Sequence, residues 1–310
     1  MVLDAAPGPT LLELLDERRI THIHDLILSH ADTDHIAGAV TLLSEKVAVE
    51  HVFLNADSSK DTVAWRDLRF ALADARKRGT TKILPSLTSA QTPFRYATTE
   101  IEVLAPNPEI AMSGVGGSDL GGVRLDTNTM SVVLRISCAG RAEVLLPGDL
   151  DSSGLDRLLA DHPQPRARVL IFPHHGGRPG QANPTDFARR LCVAVQPELV
   201  LFSTGRGKHG TPRPEIIAGV RAAVPEAHIA CTQLSEHCAA ALPARPAAYA
   251  QRYPSRGRAR NACCAGTIAL ALGLSDLALQ PGIAAHRGFV TAAAPSALCR
   301  RSTLRVTSAT

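Results

Sequence analysis

The amino-acid sequence predicts a globular fold in which β-strands alternate with α-helices. Hydrophobic residues make up 45% of the 310 positions, which is typical of a chain that buries a core and excludes a disordered protein. Apolar runs of strand length alternate with segments of helical spacing, and several of these runs end in loops that carry histidine or aspartate. The length fits one large domain or two small ones.

Strand and helix patterns follow one another along the chain. Apolar runs that fit buried strands lie at 26–28, 47–54, 82–84, 101–104, 132–136, 143–146, 169–172, 199–203, 227–231 and 264–272. Helical patterns lie at 10–15, 37–43 and 61–78. In the last of these helices Trp65, Leu68 and Leu72 share one face, which we expect to be buried. Glycine, proline and serine are frequent in residues 106–127, which predicts a long loop.

The loop after the run 26–28 is the strongest functional signal in the sequence. Within six residues it carries two histidines and two aspartates, namely His30, Asp32, Asp34 and His35. Imidazole nitrogen and carboxylate oxygen together suit zinc, manganese or iron better than calcium or magnesium. A solvated loop with scattered charge would rarely place these groups directly after a buried strand, so a metal site is the preferred interpretation.

Three later apolar runs, 143–146, 169–172 and 199–203, also end in loops with polar groups that can bind metal or substrate. The residues of these loops that we single out are Asp149, His174, His175, Arg206, Lys208 and His209. Each loop alone is compatible with a plain turn or with surface residues. Because strand-end loops converge at one edge of the sheet in α/β architectures, the preferred interpretation is a single shared site.

Four motifs together resemble the metallo-β-lactamase fold: His30-x-Asp32-x-Asp34-His35, Asn128-x-x-Ser131, Gly148-Asp149 and Pro173-His174-His175-Gly176. Over residues 20–225 they look most like the hydrolase domain of the competence DNA-uptake protein ComEC. The resemblance implies an α+β four-layer αββα sandwich with one or two divalent metal ions, zinc or manganese, at the sheet edge. It also implies a metal-dependent hydrolase, in this branch a phosphodiesterase or nuclease that uses a metal-bound hydroxide. No counterpart of the competence protein's membrane channel is found, so DNA transport is not expected.

The resemblance also implies the metal ligands. These are His30, Asp32, Asp34, His35, Asp149, His175 and His209. In the family arrangement His30 and Asp32 face one metal ion, Asp34 and His35 face the other, and Asp149 bridges them. His175 or His209 completes the shell. Asp32 stands where other branches have histidine, and its hard anionic oxygen shifts the preference toward manganese.

Further roles concern catalysis and substrate binding. The catalytic residues implied are Asp34, Asp149 and His174, and His174 would give a proton to the leaving group. Candidate substrate contacts are Asn128, Ser131, Arg206 and Lys208. For the last two, which would hold a phosphate, a solvated basic loop is an equally good explanation.

The sequence departs from the family pattern at three places. Residues 1–6 resemble the strand that comes after the first strands of the family, which leaves two explanations: the start of the sequence is assigned too late, or the first sheet is incomplete. Asn128 and Ser131 stand where lactamases and thioester hydrolases carry a third metal-binding histidine, as in the competence branch. Thr211 takes the place of an expected histidine, for which His209 is the candidate substitute.

Charge is distributed unevenly along the chain, whose net charge is +4. In residues 245–310 nine arginines accompany a single acidic residue, Asp276, whereas the rest is mildly acidic. A basic tail suits contact with a polyanion such as nucleic acid or another phosphodiester, although a solvated arginine-rich flank explains the charge equally well. Aromatic residues make up only 4% of the chain, which does not favour a base-stacking surface.

We divide the sequence into a hydrolase domain, 1–274, which contains a flexible insertion at 243–262, and a basic C-terminal extension, 275–310. No apolar run is long enough to span a bilayer and no signal peptide is recognised, so we expect a soluble cytoplasmic protein with no membrane partner. The seven cysteines are then reduced thiols or ligands of a structural zinc, and not disulfides. No protein partner is identified.

Two other functions remain open from the sequence. One is hydrolysis of a thioester or lactam by the same fold, against which the missing third histidine argues. The other is a non-catalytic binding module that kept the fold and lost turnover, which the short N-terminus and Thr211 favour.

Overall fold

In the structure, a computed structural model that describes residues 1–44, 47–207 and 209–300, two β-sheets pack face to face. The first sheet is parallel and, among the described residues, contains β1 (Val2–Leu3), β2 (His22–Ile27), β3 (Ala48–Phe53) and β4 (Lys82–Leu84). The chain alternates between these strands and helices, as parallel pairing requires. β1 lies at the edge that the sequence predicted to be incomplete, and the described residues add no strand beyond it.

Helices cover the outer face of the first sheet. They are α1 (Thr10–Glu17), α2 (Thr33–Ser44) and α3 (Val63–Lys77). The predicted face of α3 is confirmed, since Trp65, Leu68 and Leu72 are buried in the core beneath the sheet. Thr62 starts this helix by accepting a hydrogen bond from the backbone nitrogen of Trp65, 3.2 Å away.

The second sheet follows in chain order. Within the described ranges its strands are β5 (Phe94–Tyr96), β6 (Thr99–Ala105), β7 (Val133–Cys138), β8 (Arg141–Leu146), β9 (Val169–Ile171), β10 (Leu199–Phe202) and β11 (His228–Cys231). Strands β5 to β8 pair antiparallel and β8 to β11 pair parallel. The carboxyl ends of β8, β9 and β10 therefore meet at one edge, as the sequence predicted.

A further layer of helices covers the outer face of the second sheet. These helices are α5 (Ser152–Asp161), α6 (Pro184–Val195), α7 (Pro214–Ala223) and α8 (Ile283–Ala293). A shorter helix, α4 (Pro108–Ser113), lies in the segment 106–127 that the sequence predicted to be a loop throughout. Asn107 starts α4 by accepting a hydrogen bond from the backbone nitrogen of Ile110, 3.0 Å away.

The inner face of the second sheet is covered by two different partners. Strands β5 to β7 pack against the first sheet through residues such as Phe53 and Val103. Strands β8 to β11 pack against an antiparallel hairpin, β12 (Ala269–Ala271) and β13 (Ala278–Gln280), through residues such as Val169 and Leu279. We call β12 and β13 the C-terminal hairpin. It fills the part of the inner layer that the first sheet does not reach.

The αββα sandwich implied by the resemblance is confirmed, with the C-terminal hairpin completing its inner layers. The predicted domain boundary at residue 274 falls between β12 and β13, and α8 beyond it packs on the outer core. The predicted insertion 243–262 contains short 3-10 turns and buries Ala247 and Ala250. The end of the predicted extension, 301–310, lies outside the described residues. No helix in the described part of the chain has the length and apolarity to cross a membrane.

Candidate metal centre

Six of the seven predicted ligands come together at the carboxyl ends of β2, β8 and β9. His30 lies in the short loop between β2 and α2. Because α2 begins at Thr33, Asp34 and His35 lie in its first turn and not in the loop, where the sequence placed them. Asp149 follows β8 and His175 follows β9. The chain thus presents these side chains from separate elements to one point.

Two groups of potential ligand atoms lie at this centre, and a third, exposed group within the described ranges consists of His22, His24 and Glu50. The first group consists of His30, His35 and Asp149, all buried. The second consists of Asp34, His35 and His175, and is more exposed. In each group the ligand atoms lie within 4.8 Å of one another. His35 belongs to both groups, so the two potential metal positions adjoin.

Asp149 belongs to the first group and also faces His175 of the second, and it is 3% exposed. Its Oδ2 is 3.6 Å from His30 Nε2, while its Oδ1 is 3.2 Å from His35 Nε2 and 3.9 Å from His175 Nε2. One carboxylate oxygen therefore faces each side, which is the geometry expected of a bridging ligand. Burial opposes ionisation, but the three histidines hold the pKa of Asp149 well below its usual range.

The backbone conformation of Gly148 places Asp149 in this position. Its φ is +56°, and a Cβ at this residue would lie 2.2 Å from the hydroxyl oxygen of Ser131. That hydroxyl accepts a hydrogen bond from the backbone nitrogen of Asp149, 3.0 Å away. Ser131 is fully buried and supports Asp149 from beneath, a position that does not favour the substrate contact predicted for it from the sequence.

Asp4 is a part of the site that the sequence analysis missed. It directly follows β1 and accepts hydrogen bonds from Ser29 N at 2.7 Å, Ser29 Oγ at 2.7 Å and His35 Nδ1 at 2.8 Å. Ser29 Oγ, having given its proton to Asp4, accepts from His30 Nδ1 at 2.9 Å. Asp4 thereby fixes the Nδ1–H tautomer of both histidines and leaves their Nε2 atoms toward the centre. An aspartate just past an apolar strand, the pattern of Asp149, was the available signal.

His175 is oriented in the same way from the second sheet. Its Nδ1 donates to the backbone carbonyl of Ser203, 2.6 Å away at the end of β10, and its Nε2 lies 3.1 Å from Asp34 Oδ2. Although burial opposes protonation, Asp34 and Asp149 raise the pKa of His175. His174 and His175 have φ of 51° and 55°, a left-handed conformation that costs about 1 kcal/mol or more for each non-glycine residue. Such strain is typical of residues held for a function.

The donor set fits a divalent cation. In the described structure the buried Nε2 atoms of His30 and His35 have no hydrogen-bond partner, although the ring of each is held by its other nitrogen. Burial disfavours the imidazolium form of His35, but Asp149 and Asp4 outweigh it and raise its pKa to about 11. The negative charge that favours a proton on Nε2 equally favours a metal ion there.

Asp32 points one carboxylate oxygen at the same centre, with Oδ2 3.6 Å from His30 Nε2. Its other oxygen, Oδ1, accepts a hydrogen bond from the ammonium group of Lys60. Burial opposes ionisation of Asp32, but contacts with His30 and Lys60 hold its pKa well below the usual range. Lys60 lies between β3 and α3, and nothing in its local sequence marked it.

Other predicted site residues lie apart from these groups. Arg206 donates to the backbone carbonyls of Leu234, at 3.1 Å, and Ala240, at 2.8 Å, so its guanidinium ties down the C-terminal segment. His209 is exposed and belongs to none of the ligand groups found in the described chain. Lys208 lies outside the described residues.

The last two predicted residues are His174 and Asn128. His174 donates its backbone nitrogen to Gly148 O, 3.2 Å away, which joins the loops after β8 and β9. Its Nδ1 is buried without a hydrogen-bond partner in the described residues, as is Oδ1 of Asn128.

Comparison with known proteins gives a family and distant structural likenesses. A family model described as the metallo-β-lactamase superfamily matches residues 1–203. No curated protein sequence matches the chain. A metallo hydrolase from the archaeon Ignicoccus hospitalis is 15% identical, with 62% of this chain and 66% of that chain aligned and a TM-score of 0.35.

Two other solved structures show similar likeness. The metallo-β-lactamase fold protein YhfI from Bacillus subtilis is 16% identical over 75% of this chain and 83% of that chain, with a TM-score of 0.42. A diphosphatase of the PhnP family is 13% identical over 64% and 65%, with a TM-score of 0.33. Because the family model covers residues 1–203 of 310, the chain belongs to the metallo-β-lactamase superfamily of metal-dependent hydrolases.

Proposed function

We propose that the protein is a metal-dependent phosphodiesterase or nuclease that uses two adjacent divalent ions, zinc or manganese. The observation that carries this proposal is Asp149, which turns one oxygen toward His30 and the other toward His35 and His175. A bridging carboxylate between adjacent ligand groups is typical of sites that hold two metal ions. The anionic oxygen of Asp32, in place of a third neutral ligand, favours manganese.

Residues around the centre orient the ligand side chains and can supply a proton for hydrolysis. When bound, the metal ions lower the pKa of water to near neutrality and stabilise negative charge on the reacting group. Asp4, Ser29 and the carbonyl of Ser203 hold the ligand imidazoles with Nε2 directed inward. His174, the neighbour of the ligand His175, is the candidate proton donor to the leaving group.

The test is hydrolysis of bis-p-nitrophenyl phosphate by chelator-stripped protein after addition of manganese or zinc. We expect activity to return with metal, and Asp149→Asn to lower kcat/KM by more than about 100-fold because it removes the bridging charge. Asp186→Asn, which alters an exposed aspartate at the start of α6, is the matched control and retains activity.

Two other outcomes of this test would favour the alternative functions. Metal binding without phosphodiester turnover would favour thioester or lactam hydrolysis, to be tested with thioester and lactam substrates. Failure to bind any divalent metal would favour the non-catalytic module and contradict the proposal.

Three finer assignments each have an observation in their favour. Nucleic acid as substrate is supported by the arginine-rich residues 245–310, and kinship with the ComEC hydrolase domain by the Asn128-x-x-Ser131 motif. A cytoplasmic location is supported by the seven cysteines, all of which are free thiols in the described chain. Cleavage of single-stranded DNA or RNA oligonucleotides by the manganese-loaded protein tests the first of these, and uncut oligonucleotides would leave a small phosphodiester as the substrate.

A further inference from the structure

We propose that Lys60 forms an anion subsite beside the metal centre, which binds a negatively charged phosphate oxygen of the substrate. This inference rests on the proposed function, because it assigns the part of that site that recognises phosphate. Arg206, one of the two residues predicted from the sequence to hold a phosphate, instead donates to backbone carbonyls in the described structure.

The backbone of Lys60 is fixed by a buried carboxylate. Asp57 is 3% exposed and its Oδ1 accepts hydrogen bonds from Ser59 N at 2.9 Å, Ser59 Oγ at 2.7 Å and Lys60 N at 3.1 Å. Its Oδ2 accepts from Thr127 Oγ1 at 2.7 Å. Thr127 precedes Asn128, so Asp57 joins the Lys60 loop to the segment that leads to Ser131. The position of Lys60 is therefore built by the fold and is not that of a free surface lysine.

The side chain of Lys60 reaches the centre itself. Its ammonium group donates to Asp32 Oδ1, and Asp32 Oδ2 lies 3.6 Å from His30 Nε2. A single carboxylate therefore separates the ammonium group from the ligand nitrogens. The side chain is 21% exposed, which leaves it accessible to a molecule that enters the site.

Charge and hydrogen-bonding capacity explain why an anion would bind there. Asp32, Asp34 and Asp149 give the centre a negative field that repels an anionic substrate. A lysine ammonium group has three N–H donors, and Asp32 Oδ1 does not saturate them, so Lys60 can also donate to an incoming oxygen. Phosphate is the fitting class of ligand because its oxygens can contact metal ions and a cation at once.

The first experiment measures binding and not turnover. Inorganic phosphate is titrated calorimetrically into the metal-loaded wild type, Lys60→Met and Lys60→Arg. We expect Lys60→Met to weaken phosphate binding by about 10-fold, Lys60→Arg to restore most of it, and Kd for the metal to change less than about threefold. Lys77→Met, at the exposed end of α3, is the matched control and binds phosphate as the wild type does.

The second experiment compares an anionic with a neutral ester. We expect Lys60→Met to raise KM for bis-p-nitrophenyl phosphate by about 10-fold and to affect hydrolysis of p-nitrophenyl acetate much less, because that ester carries no negative charge. Equal losses on both esters, or weakened metal binding with unchanged phosphate affinity, would show that Lys60 only positions Asp32 and would overturn the subsite. Circular dichroism of each variant excludes misfolding as the cause.

The two proposals fail in distinguishable ways. If the wild type binds phosphate through Lys60 but does not hydrolyse the diester, the subsite stands and the phosphodiesterase does not. If the metal-loaded wild type does not bind phosphate, or binds it as tightly without Lys60, the subsite is wrong whatever the enzyme hydrolyses.

Discussion

At the scale of single residues, Asp4 shows how a side chain outside the ligand set controls the centre. It holds His35 directly, at 2.8 Å, and His30 through the hydroxyl of Ser29. Partners of this kind orient the imidazole and raise its basicity, and their loss typically lowers metal affinity 10- to 100-fold. Two ligands depend on Asp4, so its removal should affect both metal positions.

We therefore expect Asp4→Asn to weaken metal binding by about 10- to 100-fold, because the amide keeps the shape and loses the charge. Competition with a chromophoric chelator measures this change. Asp16→Asn, an exposed aspartate of α1, is the control. Equal metal affinity in Asp4→Asn and the wild type would show that the hydrogen bonds to Asp4 do not orient the ligands.

His286 provides a residue-scale prediction away from the metal. It is 1% exposed, its Nδ1 lies 3.1 Å from His228 Nε2 and its Nε2 lies 3.2 Å from Cys264 Sγ. Burial, with a smaller effect of Arg287, lowers its pKa to about 4. Because the unfolded value is near 6.5, the folded state resists protonation, and the stability contributed by the neutral ring falls as pH drops from about 6.5 to 4.

Urea unfolding of the metal-free protein should reveal this loss. Between pH 7 and pH 5 the free energy of unfolding should decrease by about 2 kcal/mol more in the wild type than in His286→Gln. His237→Gln, at an exposed position, should behave as the wild type. An identical pH dependence in His286→Gln and the wild type would contradict the lowered pKa.

At the scale of elements, the close approach of α2 to the segment after β1 positions the centre. The backbone nitrogen of Gly38 donates to Ala5 O at 2.8 Å, and a Cβ at Gly38 would lie 2.3 Å from Ala6 O. Since α2 carries Asp34 and His35 in its first turn, any shift of the helix moves ligands.

Gly38→Ala should destabilise the protein by about 1–3 kcal/mol and weaken metal binding, because backbone atoms cannot move aside as a flexible side chain can. Gly288→Ala in α8 is the matched control, since a Cβ there meets nothing within 4 Å, and it should be neutral or slightly stabilising. Thermal unfolding and metal titration of both variants test this. Equal stability of the two would mean that α2 can move without cost.

The whole molecule shows which features local sequence can predict. The strand-end ligands were predictable because a polar group directly after an apolar run is visible within a few residues. The strand-end position of Asp4 was visible as well, but its role in orienting the ligands was not, and Lys60 has no local signal, since these roles depend on contacts with residues 25 and 28 positions away. Arg206 and Ser131 have side chains suited to substrate binding, but Arg206 donates to backbone carbonyls and Ser131 is buried.

The same limit applies to the fold. Buried strands and the apolar face of α3 were readable from periodicity, whereas α4 was hidden by the glycine and proline of its surroundings. The C-terminal hairpin is short, and its role comes from the sheet it covers and not from its own pattern. The domain boundary that the sequence predicts at residue 274 therefore falls between the two strands of this hairpin.

We propose that the described residues form one domain that includes 275–300. Truncation after residue 274 removes Leu279 and Val290, which are 8% and 3% exposed, from two separate cores. A chain of residues 1–274 should therefore have a lower Tm and lose cooperative thermal unfolding, whereas the full chain unfolds cooperatively. Equal Tm values for the two chains would contradict this and support the boundary at 274.

The late position of the C-terminal hairpin has a consequence for synthesis. The parallel strands of the second sheet are complete at residue 231, but their inner face remains uncovered until residues 265–283 emerge. At about 5–20 residues per second, the ribosome needs about 3–10 s to add this cover. During that interval the apolar inner face of these strands is exposed on the nascent chain. The yield of folded protein in cells should therefore depend on chaperones that shield such surfaces.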